Sequence, residues 1–324
     1  MKKKLLSLVL ASMMLLTACS PQPAPGQEDD GVLRIVATTY PVYLFARCLT
    51  DGMEGIQVDL LDTGSTSCLH DYNLTVNDMK KIERADVIAM NGVGLEEFLE
   101  DALHTSDALL IDCSVGVELL ENEGHHHEEE EGDEAHDHAH DGHDHGHFDP
   151  HYWMDPMNAR VMVRNLAHAL AGVQEEHGEI FARNCEDLEV FLRTLHHNLE
   201  DMVGDAEISG LITFHDGFRY FAHAYDLPLL ESIEEEAGSE ASAKEIVEIT
   251  ELVKEHNIPV IFTEVNGSDA TAKAIVRETG CDIAQLSMCM DGPDDNLNHY
   301  LNAMLGNMAA IVNGFAGEEV VTIQ

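Results

Sequence analysis

The chain has 324 residues, 44% of them apolar, which is enough to fill the cores of two domains. It carries 61 acidic residues against 17 basic ones, a formal charge of -44. Such a surface repels nucleic acid and anionic lipid headgroups and excludes both as partners, while it raises the local concentration of cations.

Residues 1–18 read as a secretion signal. Lys2, Lys3 and Lys4 form a positive start, and Leu5 to Leu16 is an apolar run too short to span a bilayer as a helix. The run ends in Leu16-Thr17-Ala18-Cys19, which resembles the lipobox of bacterial lipoproteins. That resemblance implies cleavage before Cys19, a lipid on that residue and a place on the extracytoplasmic face of the cell membrane. Residues 19–31, rich in Pro, Gly and acid, read as a tether. Export leaves Cys48, Cys68, Cys113, Cys185, Cys281 and Cys289 in a compartment where disulfides persist. Their spacing matches no zinc ribbon, so disulfides and buried thiols both stay open.

Order is expected from Val32. Leu33 to Ala37, Gln57 to Leu61, Asp86 to Met90 and Ala108 to Ile111 are short apolar runs of strand type. Between them, Val42 to Leu49, Asn77 to Ala85 (with Asn77 as N-cap) and Leu95 to Leu103 carry helical periodicity. Alternation of this kind predicts a parallel sheet covered on both faces. Residues 121–147 interrupt it. This segment holds His125, His126, His127, His136, His138, His140, His143, His145 and His147 among eleven acidic residues, with no aliphatic side chain beyond Ala135 and Ala139. It cannot build a core and reads as a mobile loop that collects zinc weakly.

Beyond the loop, Asp155 and Pro156 open a helix to Ala171, and Glu175 to Val203 is a longer helical stretch. Strands then return at Leu211 to Phe214, Pro259 to Thr263 and Asp282 to Ser287. Helices are expected at Gly217 to Tyr225, Ala243 to Glu255, Ser268 to Thr279 and Asn296 to Asn313. The fold class is therefore α/β: two lobes, each a mostly parallel sheet flanked by helices, joined by a long helix. The first lobe is expected over 32–155, the helical segment over 156–204 and the second lobe over 205–324.

Outside the loop, His70, His151 and His215 each follow a strand or an ordered segment, and His215 directly ends one. Ligands of open α/β sheets bind beyond the carboxyl ends of the strands. Neutral imidazole suits zinc, and three of them leave one position for water, a carboxylate or a thiolate. Asp71, Asp149, Asp155 and Asp216 stand next to these histidines as acceptors for the second ring nitrogen. Spacing alone does not gather the three into one site.

Three segments carry a family resemblance. They are Leu69-His70-Asp71-Tyr72 with the Asn77–Ile82 and Ala85–Ile88 runs, Asp149-Pro150-His151-Tyr152-Trp153-Met154-Asp155-Pro156, and His215-Asp216-Gly217-Phe218-Arg219-Tyr220-Phe221. Together with Asn91-Gly92-Val93-Gly94-Leu95-Glu96 and Ile261-Phe262-Thr263-Glu264, the chain resembles the zinc/manganese solute-binding proteins of ABC importers (ZnuA-type) over nearly its whole mature length. The resemblance implies two lobes on a rigid helix with a metal between them, held by His70, His151 and His215. It favours Zn(II), because manganese members carry Glu at the third position. The partners it implies are an ABC importer permease with its ATPase, and a monomer is expected. Near the last strand the family's usual carboxylate is replaced by Leu286-Ser287-Met288-Cys289-Met290-Asp291. Asp291 is taken as the fourth donor, with Cys289, Glu264 and water as alternatives.

Other functions stay on the table. A manganese- or iron-specific protein of the same family, a surface zinc buffer or adhesin, and a three-histidine zinc hydrolase all fit parts of the pattern. The sequence has no HExxH, GxSxG or P-loop, so it is not read as an enzyme.

Overall fold

The computed structural model describes residues 31–63, 69, 72–104, 106–122, 147–234, 242–265 and 269–323. A compact unit begins at Leu33. Its first half contains β1 (Leu33–Ala37), α1 (Tyr40–Leu49), β2 (Ile56–Leu60), α2 (Val76–Arg84), β3 (Val87–Met90), α3 (Glu100–Leu103) and β4 (Leu109–Asp112). The strands form a parallel sheet in the order β2-β1-β3-β4. Two helices follow, α4 (Pro156–Val173) and α5 (Gly178–Val203). The second half contains β5 (Leu211–His215), α6 (Arg219–Ala224), β6 (Leu229–Glu234), α7 (Ala243–Glu255), β7 (Val260–Glu264), α8 (Ala270–Thr279), β8 (Asp282–Leu286) and α9 (Asn298–Ala316). Its sheet is also parallel, in the order β6-β5-β7-β8.

Strand alternation explains how each sheet is covered twice. In the first sheet Ile35, Ala37, Val87 and Ala89 face one way, and Val36 and Ile88 face the other. The former join a hydrophobic cluster that runs through α4 and α5 to α9 and takes in Leu211, Val260 and Phe262 of the second sheet. The latter pack on Leu61, Ile82, Leu99 and Ala102. The outer face of the second sheet does the same with Ile212, Phe214 and Ile261 against α7 and α8. Helix α5 contributes Phe181, Leu188, Leu192, Leu195 and Leu199, one buried stripe at helical spacing. Its 26 residues reach about 39 Å at ~1.5 Å per residue, long enough to run past both sheets.

The expected elements shift in three places. Helix α2 starts two residues earlier than Asn77 predicts, because Thr75 is the N-cap. The Thr75 hydroxyl accepts from Asp78 N at 3.1 Å while the Asp78 carboxylate accepts from Thr75 N at 2.9 Å. The helix expected from Leu95 is reduced to a 3-10 turn (Glu97–Leu99) and the single turn of α3, since the Glu96 carboxylate turns inward to bond the backbone of Asn91 and Gly92. Strand β6 is an addition. Its Glu231 and Glu234 break the apolar run that a strand reading requires, and they are tolerated because β6 is an edge strand. Among the described residues, no helix is long and apolar enough to cross a membrane. The five described cysteines, Cys48, Cys113, Cys185, Cys281 and Cys289, are free thiols.

Candidate metal centre

The second family-like segment is held by its own backbone chemistry. An antiparallel bridge pairs Glu121 with Phe148, and Asp149 N donates to Leu120 O at 2.9 Å. Asp149 is buried, and its Oδ1 accepts from both the backbone N and the Nδ1 of His151, each at 2.8 Å. A carboxylate beside Nδ1 keeps the proton there and leaves the Nε2 lone pair free for a metal. Residues Tyr152–Met154 then make a 3-10 turn, and Asp155 caps α4 by accepting from Met157 N at 2.8 Å. So Asp155 serves the helix end, and Asp149 serves the ring.

His215 ends β5, a strand buried along its whole length. Its Nε2 lies 3.4 Å from the Nε2 of His151, with the rings 84° apart and 5.0 Å between centroids. Two imidazole nitrogens at this separation are spaced as two ligands of one ion are. Each is almost fully covered, His151 at 5% and His215 at 1% exposure. Asp216 Oδ1 sits 3.8 Å from His215 Nδ1. His151, His215 and Asp216 are the donors that come within 4.8 Å of one another among the described residues. The chain passes close to the site at Gly217, where a Cβ would stand 2.1 Å from Met288 Cε and 3.0 Å from His215 Cδ2.

Charge collects around this pair. Burial pulls the His151 imidazole towards its neutral form, but the Asp149 carboxylate, its hydrogen bond, and Asp216 and Glu264 outweigh that and raise the pKa. Glu264 ends β7, the neighbour of β5. The two strands pair at Thr213↔Phe262, two residues before His215 and Glu264. Glu264 is buried. Asp291 is not in this group. The chain turns at Cys289 with φ 56; Asp291 acts on Cys289 and Tyr40 and lines a small cavity together with Glu264. Asp216 is the carboxylate grouped with the two histidines, and Glu264 acts on His151 through its charge. Cys289 is buried beside Tyr300 and Tyr40, and burial followed by Asp291 pushes its thiol up to about 12.

His70 and Asp71 lie outside the described residues, as do Cys19 and the loop histidines His125, His126, His127, His136, His138, His140, His143 and His145. His147 is described and is exposed, 3.9 Å from Glu121.

Several side chains that sequence reasoning did not single out hold the halves together here. Trp153 Nε1 donates to Met288 O at 2.9 Å, and Tyr300 OH donates to Trp153 O at 2.6 Å. Tyr220 OH donates to Asp149 O at 2.9 Å. Farther out, Tyr40 OH donates to Asp294 O at 2.7 Å, and Arg47 pairs with Asp295 at 2.7 Å.

Two parallel-sheet lobes joined by helices, with histidines gathered at strand ends between them, define a solute-binding protein fold. The family model described as zinc-uptake complex component A, periplasmic (ZnuA), matches residues 35–314, and the chain belongs to that family. It is 29% identical over 292 residues to the zinc-binding protein AdcA of Streptococcus pyogenes serotype M3, covering 89% of this chain and 56% of the relative. It is 30% identical over 315 residues to the zinc-binding lipoprotein AdcA of Streptococcus pneumoniae strain R6, covering 95% of this chain and 60% of the relative. The chain thus spans less than two thirds of the length of these relatives. Among solved structures, ZnuA superposes with a TM-score of 0.71 at 22% identity, covering 89% of this chain and 99% of that one. FpvC from Pseudomonas aeruginosa in complex with Mn2+ gives 0.73 at 22% identity, covering 88% of this chain and 99% of that one.

Proposed function

We propose that this chain captures Zn(II) between its lobes, on the extracytoplasmic face of the membrane, and hands it to an ABC importer permease served by an ATPase. The donors are His151 and His215 together with His70, and a carboxylate from Glu264 or Asp216 completes the set in preference to Asp291. The lipid on Cys19 holds the protein at the membrane, and it works as a monomer. The observation that carries this reading is the 3.4 Å approach of two buried imidazole nitrogens, with Asp149 fixing the ring of one of them.

Burial also favours capture over catalysis. A hydrolase needs room for a substrate beside its metal, whereas these nitrogens are enclosed by protein. A donor set of imidazoles favours zinc over manganese, which prefers oxygen.

The test is competitive zinc titration of His151→Ala and His215→Ala. Each loses one donor and is expected to bind at least ~100-fold more weakly, since a lost ligand removes more than the 10–100-fold of a supporting residue. Parent-like affinity in both variants would overturn the assignment.

A further inference from the structure

The residues just before and just after His151 are both bonded to one residue of the first lobe. Asn91 follows β3, and its Nδ2 donates to Pro150 O at 3.0 Å. The backbone carbonyl of the same Asn91 accepts from Tyr152 OH at 2.5 Å. Pro150 and Tyr152 flank His151, so Asn91 grips the chain on both sides of the imidazole. All four residues are buried.

Asn91 is itself held. Its backbone N donates to Glu96 Oε1 at 2.6 Å, and Gly92 N donates to Glu96 Oε2 at 3.0 Å. Thr38 Oγ1, just after β1, donates to Glu96 Oε1 at 2.7 Å. Three donors therefore converge on one buried carboxylate and fix the turn 91–92 against the sheet. Burial pushes the Glu96 carboxyl up to about 7, against the bonds from Thr38, Gly92 and Asn91. Gly92 adds a second constraint: with φ 88, a Cβ there would stand 2.2 Å from Asp112 Oδ1. These bonds and the Gly92 backbone constrain the turn that presents the Asn91 amide and carbonyl.

We propose that Asn91, clasped by Glu96, is a positioning residue for His151 and sets the orientation of its Nε2 before an ion arrives. Asp149 fixes the rotation of the ring, and Asn91 fixes the backbone that carries it. Both constraints lower the reorganisation that binding requires, which is how supporting residues raise metal affinity. The inference rests on His151 being a zinc donor.

A double-mutant cycle in the full chain tests it. Asn91→Ala is expected to weaken zinc binding on the order of 10–100-fold, read by competition with a chelating dye. In a His151→Ala background the same substitution should have no further effect, because there is no imidazole left to position. Cobalt(II) bound to Asn91→Ala should show a visible absorption spectrum altered from the parent. Tyr152→Phe removes one of the two grips while keeping the ring, and it carries the same cycle should Asn91→Ala not fold. An equal loss in both backgrounds would mean that Asn91 acts on general stability, and this inference alone would fail. Parent-like zinc affinity in His151→Ala would overturn it together with the site on which it rests.

Discussion

Replacing Asp149 by Asn isolates one charge from the geometry around it. The Asn carbonyl oxygen can still accept from the His151 backbone N and Nδ1, which Asp149 Oδ1 now does at 2.8 Å each. What disappears is the negative charge beside a buried ring. A hydrogen bond to a charged group is worth about 1.5–3 kcal/mol, and the loss of a carboxylate supporting a metal-bound histidine weakens metal binding about 10–100-fold. The two estimates agree, since a tenfold change corresponds to ~1.4 kcal/mol. The new amide nitrogen has to sit where Asp149 Oδ2 now lies buried without a hydrogen-bond partner among the described residues. That strain destabilises the metal-free and metal-bound forms alike and largely cancels from the affinity. The pH dependence separates charge from damage. Asp149 is the leading cause holding the His151 pKa up against burial, so in the variant the proton competes less well with zinc. The affinity deficit should be full at about pH 8 and shrink towards about pH 5.5, as imidazole protonation takes over in the parent. Competitive titrations across that range are the assay. A deficit that stays constant with pH, or no deficit at pH 8, would refute the reasoning.

The metal-free protein should lose stability as pH rises from about 5 to about 8. The folded-state pKa of His151 is raised, so its contribution is complete below the unfolded imidazole value and fades as pH passes the folded one. Glu96, pushed up to about 7 by burial, acts in the same direction, because the fold keeps a proton that the unfolded chain has already released. Denaturant midpoints check this, and a midpoint that climbs over the interval contradicts it. Excision of residues 123–146 should leave the tight zinc equivalent and remove weaker ones. The ends to be rejoined are adjacent, with Asn122 N donating to His147 O at 3.0 Å, and shortening the connection should stabilise the fold by about 1–2 kcal/mol. Calorimetry would show the reasoning wrong if the tight equivalent vanished while the protein stayed folded.

Strands β1, β5 and β7 were legible because they are largely buried on both faces and so read as mostly apolar runs, Arg34 of β1 being the partly exposed exception. Strand β6 was not, because an edge strand tolerates Glu231 and Glu234 and its pattern resembles a loop. Asp155 and Pro156 announce the start of α4 in the sequence alone, since a cap is a local matter. Asp291 shows the opposite case. Its proximity to the last strand is visible in the sequence, but the left-handed turn at Cys289 before it, and the Cys289 and Tyr40 it acts on, are not. The bonds of Trp153 to Met288 and of Asn91 to Pro150 span 135 and 59 residues. No local pattern records such a pairing, because each partner is a backbone carbonyl that any residue supplies.

The bonds that tie Asp149 and Trp153 to the second lobe bear on time as well as on affinity. Tyr220 holds one end of the histidine segment and Trp153 the other, with Tyr300 bonded to Trp153 in turn. An ion that meets donors already tethered at both ends waits mainly on diffusion and on shedding its own water. On the proposed function, departure of the ion would have to loosen several buried hydrogen bonds together, and the loaded state is expected to outlast the time of capture. The work of opening such a carrier would then fall on the docking surface of its membrane partner.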